Sequence, residues 1–154
     1  MPAVKKILVL VSIFFYLISL FSPAYIGLQS DNSWNGFMCL GFGWMALVWN
    51  PIGFFAWLAN FPYFVNVVMV LISKKIWSRI ATSIIGAVSL FLALGAFDVT
   101  YLMRDEGGNT ELADYGAGLY LWIFSMIIMV VAAALPGEKK PVEVHYINNP
   151  NPIK

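Results

Sequence analysis

The chain has 154 residues, 60% of them hydrophobic and 11% charged, with a formal net charge of +1. A soluble domain of this size carries roughly 25% charged residues to solvate its surface, so the composition excludes an ordinary water-soluble globule and points to lipid as the solvent. The small net charge leaves no basic face for a nucleic-acid partner, and a single cysteine with a single histidine supplies no cage of ligands for zinc.

A helix that crosses a hydrocarbon core needs about 20 mostly apolar residues. The first run that meets this is "ILVLVSIFFYLISLFSPAYIG" over 7–27, preceded by Lys5 and Lys6. It reads as a first span. The competing reading is a signal peptide, with Lys5 and Lys6 as its charged start and Ser22-Pro23-Ala24 as its small-residue cleavage site.

Next comes "FMCLGFGWMALVWNP", fifteen residues from Phe37 to Pro51. It is too short to cross. Phe37, Leu40, Trp44, Leu47 and Val48 recur at helical spacing, so the segment 37–50 is expected to be a short helix lying in the outer interface. Cys39 sits within it.

The second span is expected over 52–72. Pro62 lacks the N–H that would bond to the Leu58 carbonyl and predicts a kink. Asn60 and Asn66 are polar at membrane depth, where an unpaired amide is costly, and should face the bundle. These three, with Asp98 at the end of the third span (80–98), form a candidate intramembrane polar or kink site. The alternative is an interhelical hydrogen bond that fixes packing, with Asp98 as a solvated helix end.

Helices in lipid pack through small residues. Thr82, Gly86, Ser89, Ala93 and Ala96 make one stripe on the third span. Gly118, Ser125 and Ala132 make another on the fourth span (115–135), and the two stripes are expected to pack together. Between these spans the acidic loop collects Asp105, Glu106, Glu111 and Asp114. It lacks the EF-hand order of ligands and reads as solvated. After Leu135, Pro136 and Gly137 stop the last helix. The polar segment 137–154 is expected to be a disordered cytoplasmic tail.

Charge sets the orientation. Eight of the nine basic residues flank one side of the four spans, Arg104 alone lies on the other, and six of the eight acids fall on the Arg104 side. Short basic loops stay in the cytoplasm, which places both termini inside. The tryptophans then crowd the outer side. Trp34, Trp44, Trp49, Trp57 and Trp122, with Tyr120, are the candidate outer aromatic surface, more than the aromatic belt a membrane protein needs for anchoring.

No G-x-S-x-G, H-E-x-x-H or P-loop pattern occurs, so catalysis, a cofactor and a bound metal are not expected. The segments "GFMCLGFGW", "WNPIGFFAWLAN" and "YGAGLYLW" give the chain a likeness to uncharacterised small four-span proteins of bacterial inner membranes, a resemblance that implies the topology and no activity. The tryptophan, glycine and cysteine of the first outer loop are also similar to those of claudins, but that family's W-G-L-W-C-C arrangement has a cysteine pair and Cys39 stands alone.

Taken together, the sequence predicts an all-α integral membrane four-helix bundle over 1–136 in a bacterial inner membrane. The expected role is non-enzymatic: an accessory, sensing or immunity-type subunit whose partners are lipid and another membrane protein or a second copy. The alternative is a subunit of a small oligomeric channel or transporter, in which Asn60, Asn66, Thr82, Ser83, Ser89 and Ser125 would line one path.

Overall fold

A computed structural model describes residues 3–28, 33–72, 76–103 and 109–136. The expected tail over 137–154, the acids Asp105 and Glu106, and the side chains of Trp49 and Glu111 lie outside the described residues.

Four helical runs are long and apolar enough to cross a membrane: Ala3–Phe21, Pro51–Ile72, Ser78–Asp98 and Ala117–Ala134. The first is α1 (Ala3–Phe21). It stops short of the expected 27 because Pro23 has no N–H to donate and biases Ser22 away from helix. The residues after it become β1 (Pro23–Gly27), followed by β2 (Ser33–Asn35).

The segment between the first two long helices is helical in short pieces. It comprises α2 (Gly36–Phe42), a 3-10 turn (Gly43–Met45) and α3 (Ala46–Trp49). Asn35 caps α2, its side chain accepting from the Met38 N–H at 2.9 Å. Asn50 caps the next helix, α4 (Pro51–Leu58), by accepting from the Gly53 N–H at 3.2 Å, with Pro51 at the first helical position. That proline loses nothing there, because the first-turn N–H groups have no partner within the helix.

The second long helix is interrupted at Ala59, between α4 and α5 (Asn60–Ile72). The interruption falls within one turn before Pro62, which thereby occupies the first turn of α5 rather than a helix interior. The third is α6 (Ile76–Leu94), tightening into a 3-10 turn over Gly95–Asp98, and the fourth is α7 (Ala117–Ala134).

The departure from an all-α reading is a four-stranded antiparallel sheet of order β2-β1-β4-β3, built with β3 (Tyr101–Met103) and β4 (Asn109–Tyr115). Its central pairing joins Tyr25 to Tyr115 and Ile26 to Asp114. Two connections far apart in sequence are thus tied into one cap over the helix ends. Tyr115, expected to open the fourth span, closes the sheet instead.

The bundle is apolar outside and small or polar inside. Leu10, Phe14 and Phe91 are exposed, while Ser12, Asn66 and Ser125 are fully buried among Ala59, Ala93 and Ala132. This is the distribution that suits lipid, whose chains are as apolar as a leucine core and would draw no large aliphatics inward, so that small residues that let backbones approach occupy the seams. The most extensive helix pair is α1 with α7.

Both small-residue stripes are buried, but they do not meet as one seam. A Cβ on Gly118 would fall 2.5 Å from the Ser22 carbonyl oxygen, so this end of the α7 stripe lies against the turn after α1. The Ser125 carbonyl accepts from Ser12 of α1 at 2.7 Å. The α6 stripe meets α7 beside that stripe and α5 as well: Gly86 lies against Asn66 of α5 and Val130 of α7, and Ser89 donates to the Ala59 carbonyl at 2.8 Å with Met126 Sδ of α7 3.6 Å away.

Candidate functional site

Where the cap meets the bundle, the sheet, α2 to α4 and the adjoining ends of α1, α6 and α7 enclose a pocket of about 160 Å³. Its floor is an asparagine-centred cluster. Tyr16 Oη of α1 donates to Asn60 Oδ1 at 2.9 Å, and Trp122 Nε1 of α7 donates to the same oxygen at 3.0 Å. Asn60 Nδ2 in turn donates to the Trp57 carbonyl at 2.8 Å, next to the helix interruption. Three of the four long helices therefore converge on one carboxamide, with both its polar atoms used.

Tyr16 also stacks on Tyr63, with ring centroids 4.8 Å apart and planes 10° from parallel. The Tyr63 hydroxyl lies 3.0 Å from Ser12 Oγ. This polar thread runs on to the Ser125 carbonyl and leaves the pocket behind.

The side walls carry indoles. Trp57 Nε1 donates to the Leu40 carbonyl at 2.8 Å, fastening α2 to α4. Gly43 is required at this contact, since a Cβ there would lie 2.5 Å from Trp57 Cδ1. Trp34 of β2 and Cys39 of α2 also line the space. The Tyr25 hydroxyl donates to the Ala96 carbonyl at 3.0 Å, locking β1 onto the end of the third long helix. Burial raises the Tyr25 phenol well above its usual value, with the neighbouring Cys39 and Tyr115 adding to the effect. Cys39 as a residue is half-buried, but its thiol is enclosed, and that burial pushes it up to about 12. A thiol so enclosed stays protonated and is a poor nucleophile.

The structure divides the candidate outer aromatics into two groups. Trp34, Trp57 and Trp122 line the pocket, whereas Trp44 and Tyr120 are exposed. It also separates the intramembrane candidates. Asn60 belongs to the pocket floor, and Pro62 sets the break beside it. Asn66, six residues farther along α5, is fully buried with neither side-chain polar atom hydrogen-bonded. Asp98 is exposed and does not line the pocket; its backbone carbonyl accepts from Asn50 Nδ2 at 3.4 Å.

The sequence reading missed Tyr16, Ser12 and Ser19. Their signal was present as polar residues at steps of four and three within an apolar run, the spacing of one helix face. Among the described residues, no group of three metal-ligating side chains comes together. No protein-family model, curated protein or solved structure matches this chain. What the fold defines is a class, a predominantly helical protein with four helices able to cross a membrane and a sheet-bearing cap at one end of them.

Proposed function

We propose that the chain is a non-enzymatic multi-pass protein of the bacterial cytoplasmic membrane that works as an accessory, sensing or immunity-type interaction subunit. Both termini lie in the cytoplasm and the cap on the outer face, in keeping with the basic residues at the opposite end. There Lys5 reaches the Ala133 carbonyl at 3.5 Å, a cation at the carbonyl end of α7 as the helix dipole favours.

The observation that carries this reading over a channel subunit is the closure of the interior polar groups. A water-filled path needs polar side chains turned toward it. Here Ser12, Ser19, Asn60, Thr82, Ser89 and Ser125 each hydrogen-bond to a neighbour within the protein. Ser83 is half-buried, and Asn66 is sealed by the helices around it.

The partner surface is the exposed apolar side of the cap, where Phe37, Trp44, Leu47 and Val48 all face out. It suits a second membrane protein or another copy of this chain, bathed otherwise by lipid. The test is crosslinking in native membranes, purification of the tagged chain and mass spectrometry of the proteins that co-purify. A specific partner is expected with the wild type and lost in the double variant Trp44→Ser, Leu47→Ser. No specific capture, together with ion flux through liposomes carrying the purified protein, would overturn the proposal in favour of the channel.

A further inference from the structure

We infer that the pocket beneath the sheet receives the hydrocarbon end of a membrane lipid from the adjoining leaflet. This rests on the membrane placement of the helices but not on the partner surface, which lies on the outside of the same cap.

Four observations lead there. Among the described residues, no charged side chain lines the pocket. Most of its polar side chains are engaged, since Asn60, Tyr16, Trp57, Trp122 and Tyr25 all bond to protein groups, and the unsatisfied buried atoms of the described residues belong to Asn66, outside it. A charged headgroup would find no opposite charge among the described lining residues to replace the hydration it loses. An apolar occupant suits this lining best.

Size narrows it further. Drug-sized ligands occupy about 300–1,000 Å³, and a dry apolar cavity of about 150 Å³ takes one benzene-sized group. At about 160 Å³ the pocket holds the tip of a chain rather than a whole lipid.

Depth and access agree with that. Tyr16 lies five residues before the end of α1, so the floor is about 7–8 Å below the helix end, comparable with the boundary between headgroups and acyl chains at about 5–10 Å. Phe42 and Tyr101 line the pocket and are also exposed, marking its mouth between α2 and β3. Among the described residues, the surface beside that mouth is the apolar face of α2 and α3, along which a chain tip can fold in.

The test uses the full chain in phosphatidylcholine–phosphatidylglycerol vesicles with two tracer lipids. One carries a photoreactive diazirine at the terminal acyl carbon, the other beside the acyl carboxyl. The terminal tracer is expected to label peptides containing Cys39 and Trp57, and the carboxyl-proximal tracer to leave those two residues unlabelled. The variants Ala46→Leu and Ala46→Phe, which fill the pocket from α3, should lower that labelling by about fivefold as overpacking excludes the chain. Labelling at lipid-facing Phe14 and Phe91 serves as the unchanged standard. If neither variant folds, the contrast between the two tracers in the wild type still decides. Equal labelling of the pocket by both tracers, or labelling at Phe14 and Phe91 with none at Cys39 and Trp57, would overturn the inference. So would crosslinking of an unlabelled pocket to an apolar side chain of a co-purified protein. Loss of the captured partner with pocket labelling intact would instead count against the proposed function alone.

Discussion

Asn60 and Asn66 stand six residues apart on one helix in opposite circumstances. Truncating Asn60 strands the Tyr16 hydroxyl and the Trp122 N–H, each of which costs about 1–3 kcal/mol when buried without a partner. Asn60→Ala is therefore expected to lower stability by about 2 kcal/mol or more, measured as a fall in thermal midpoint in detergent. Asn66 already bears the cost of an unpaired carboxamide, so Asn66→Leu, of similar volume, is expected to be neutral or stabilising by about 1 kcal/mol. A loss as large as that of Asn60→Ala would show that Asn66 has a partner after all. The sequence locates both asparagines in the bundle interior by the cost of an amide in lipid. It does not separate them, because the difference lies in Tyr16 and Trp122 on other helices.

Cys39 is the other residue with a sharp expectation. The thiol's usual value is 9.0, and the folded chain holds it near 12. The native state therefore keeps a proton that the unfolded chain releases, and the resulting stabilisation is full below pH 9. It is lost as pH rises through about 12. Tyr25 is displaced in the same direction. The thermal midpoint should fall from pH 9 to pH 12, and Cys39→Ser should make that fall shallower. A midpoint flat over this range would contradict the burial of these groups.

At the scale of elements, the docking of the cap depends on glycines that admit backbone. Gly118 and Gly116 lie against the carbonyls of Ser22 and Pro23, and Gly36 lies against the Ser19 carbonyl. Gly118→Ala is expected to destabilise by about 1–3 kcal/mol, since rigid backbone must move aside. Gly41→Ala meets nothing within 4 Å and should be neutral or stabilising by up to about 1 kcal/mol through its better helix propensity. Thermal unfolding of the two variants side by side checks the contrast.

The helical elements were legible because apolar length and proline position are local properties. Pro51 and Pro62 mark a helix start and a helix break within the chain's own sequence. The sheet was not legible. "PAYIG" reads as the continuation of an apolar helix, and the charged "NTELADY" reads as a solvated loop. Only the pairing of Tyr25 with Tyr115, ninety positions on, makes strands of them, and no local pattern reveals a partner so distant. The pocket was hidden for the same reason: its tryptophans were visible as a crowd, but the enclosure comes from the sheet.

For the whole molecule, the inside-out distribution of bulk and polarity is the argument for lipid, and the segregation of basic residues is the argument for direction. In the proposed orientation the cap, its exposed aromatic side and the pocket's mouth lie on the outer face. The most direct measurement is accessibility of single cysteines in a Cys39→Ser background, read with a membrane-impermeant maleimide on intact cells. Leu28→Cys, at the exposed residue just past β1, and Lys6→Cys, at the exposed start of α1, stand at opposite ends of the bundle. Labelling of Leu28→Cys in intact cells, with Lys6→Cys labelled only after permeabilisation, is the result this account predicts. The reverse pattern, or release of the chain from membranes by alkaline carbonate, would contradict it.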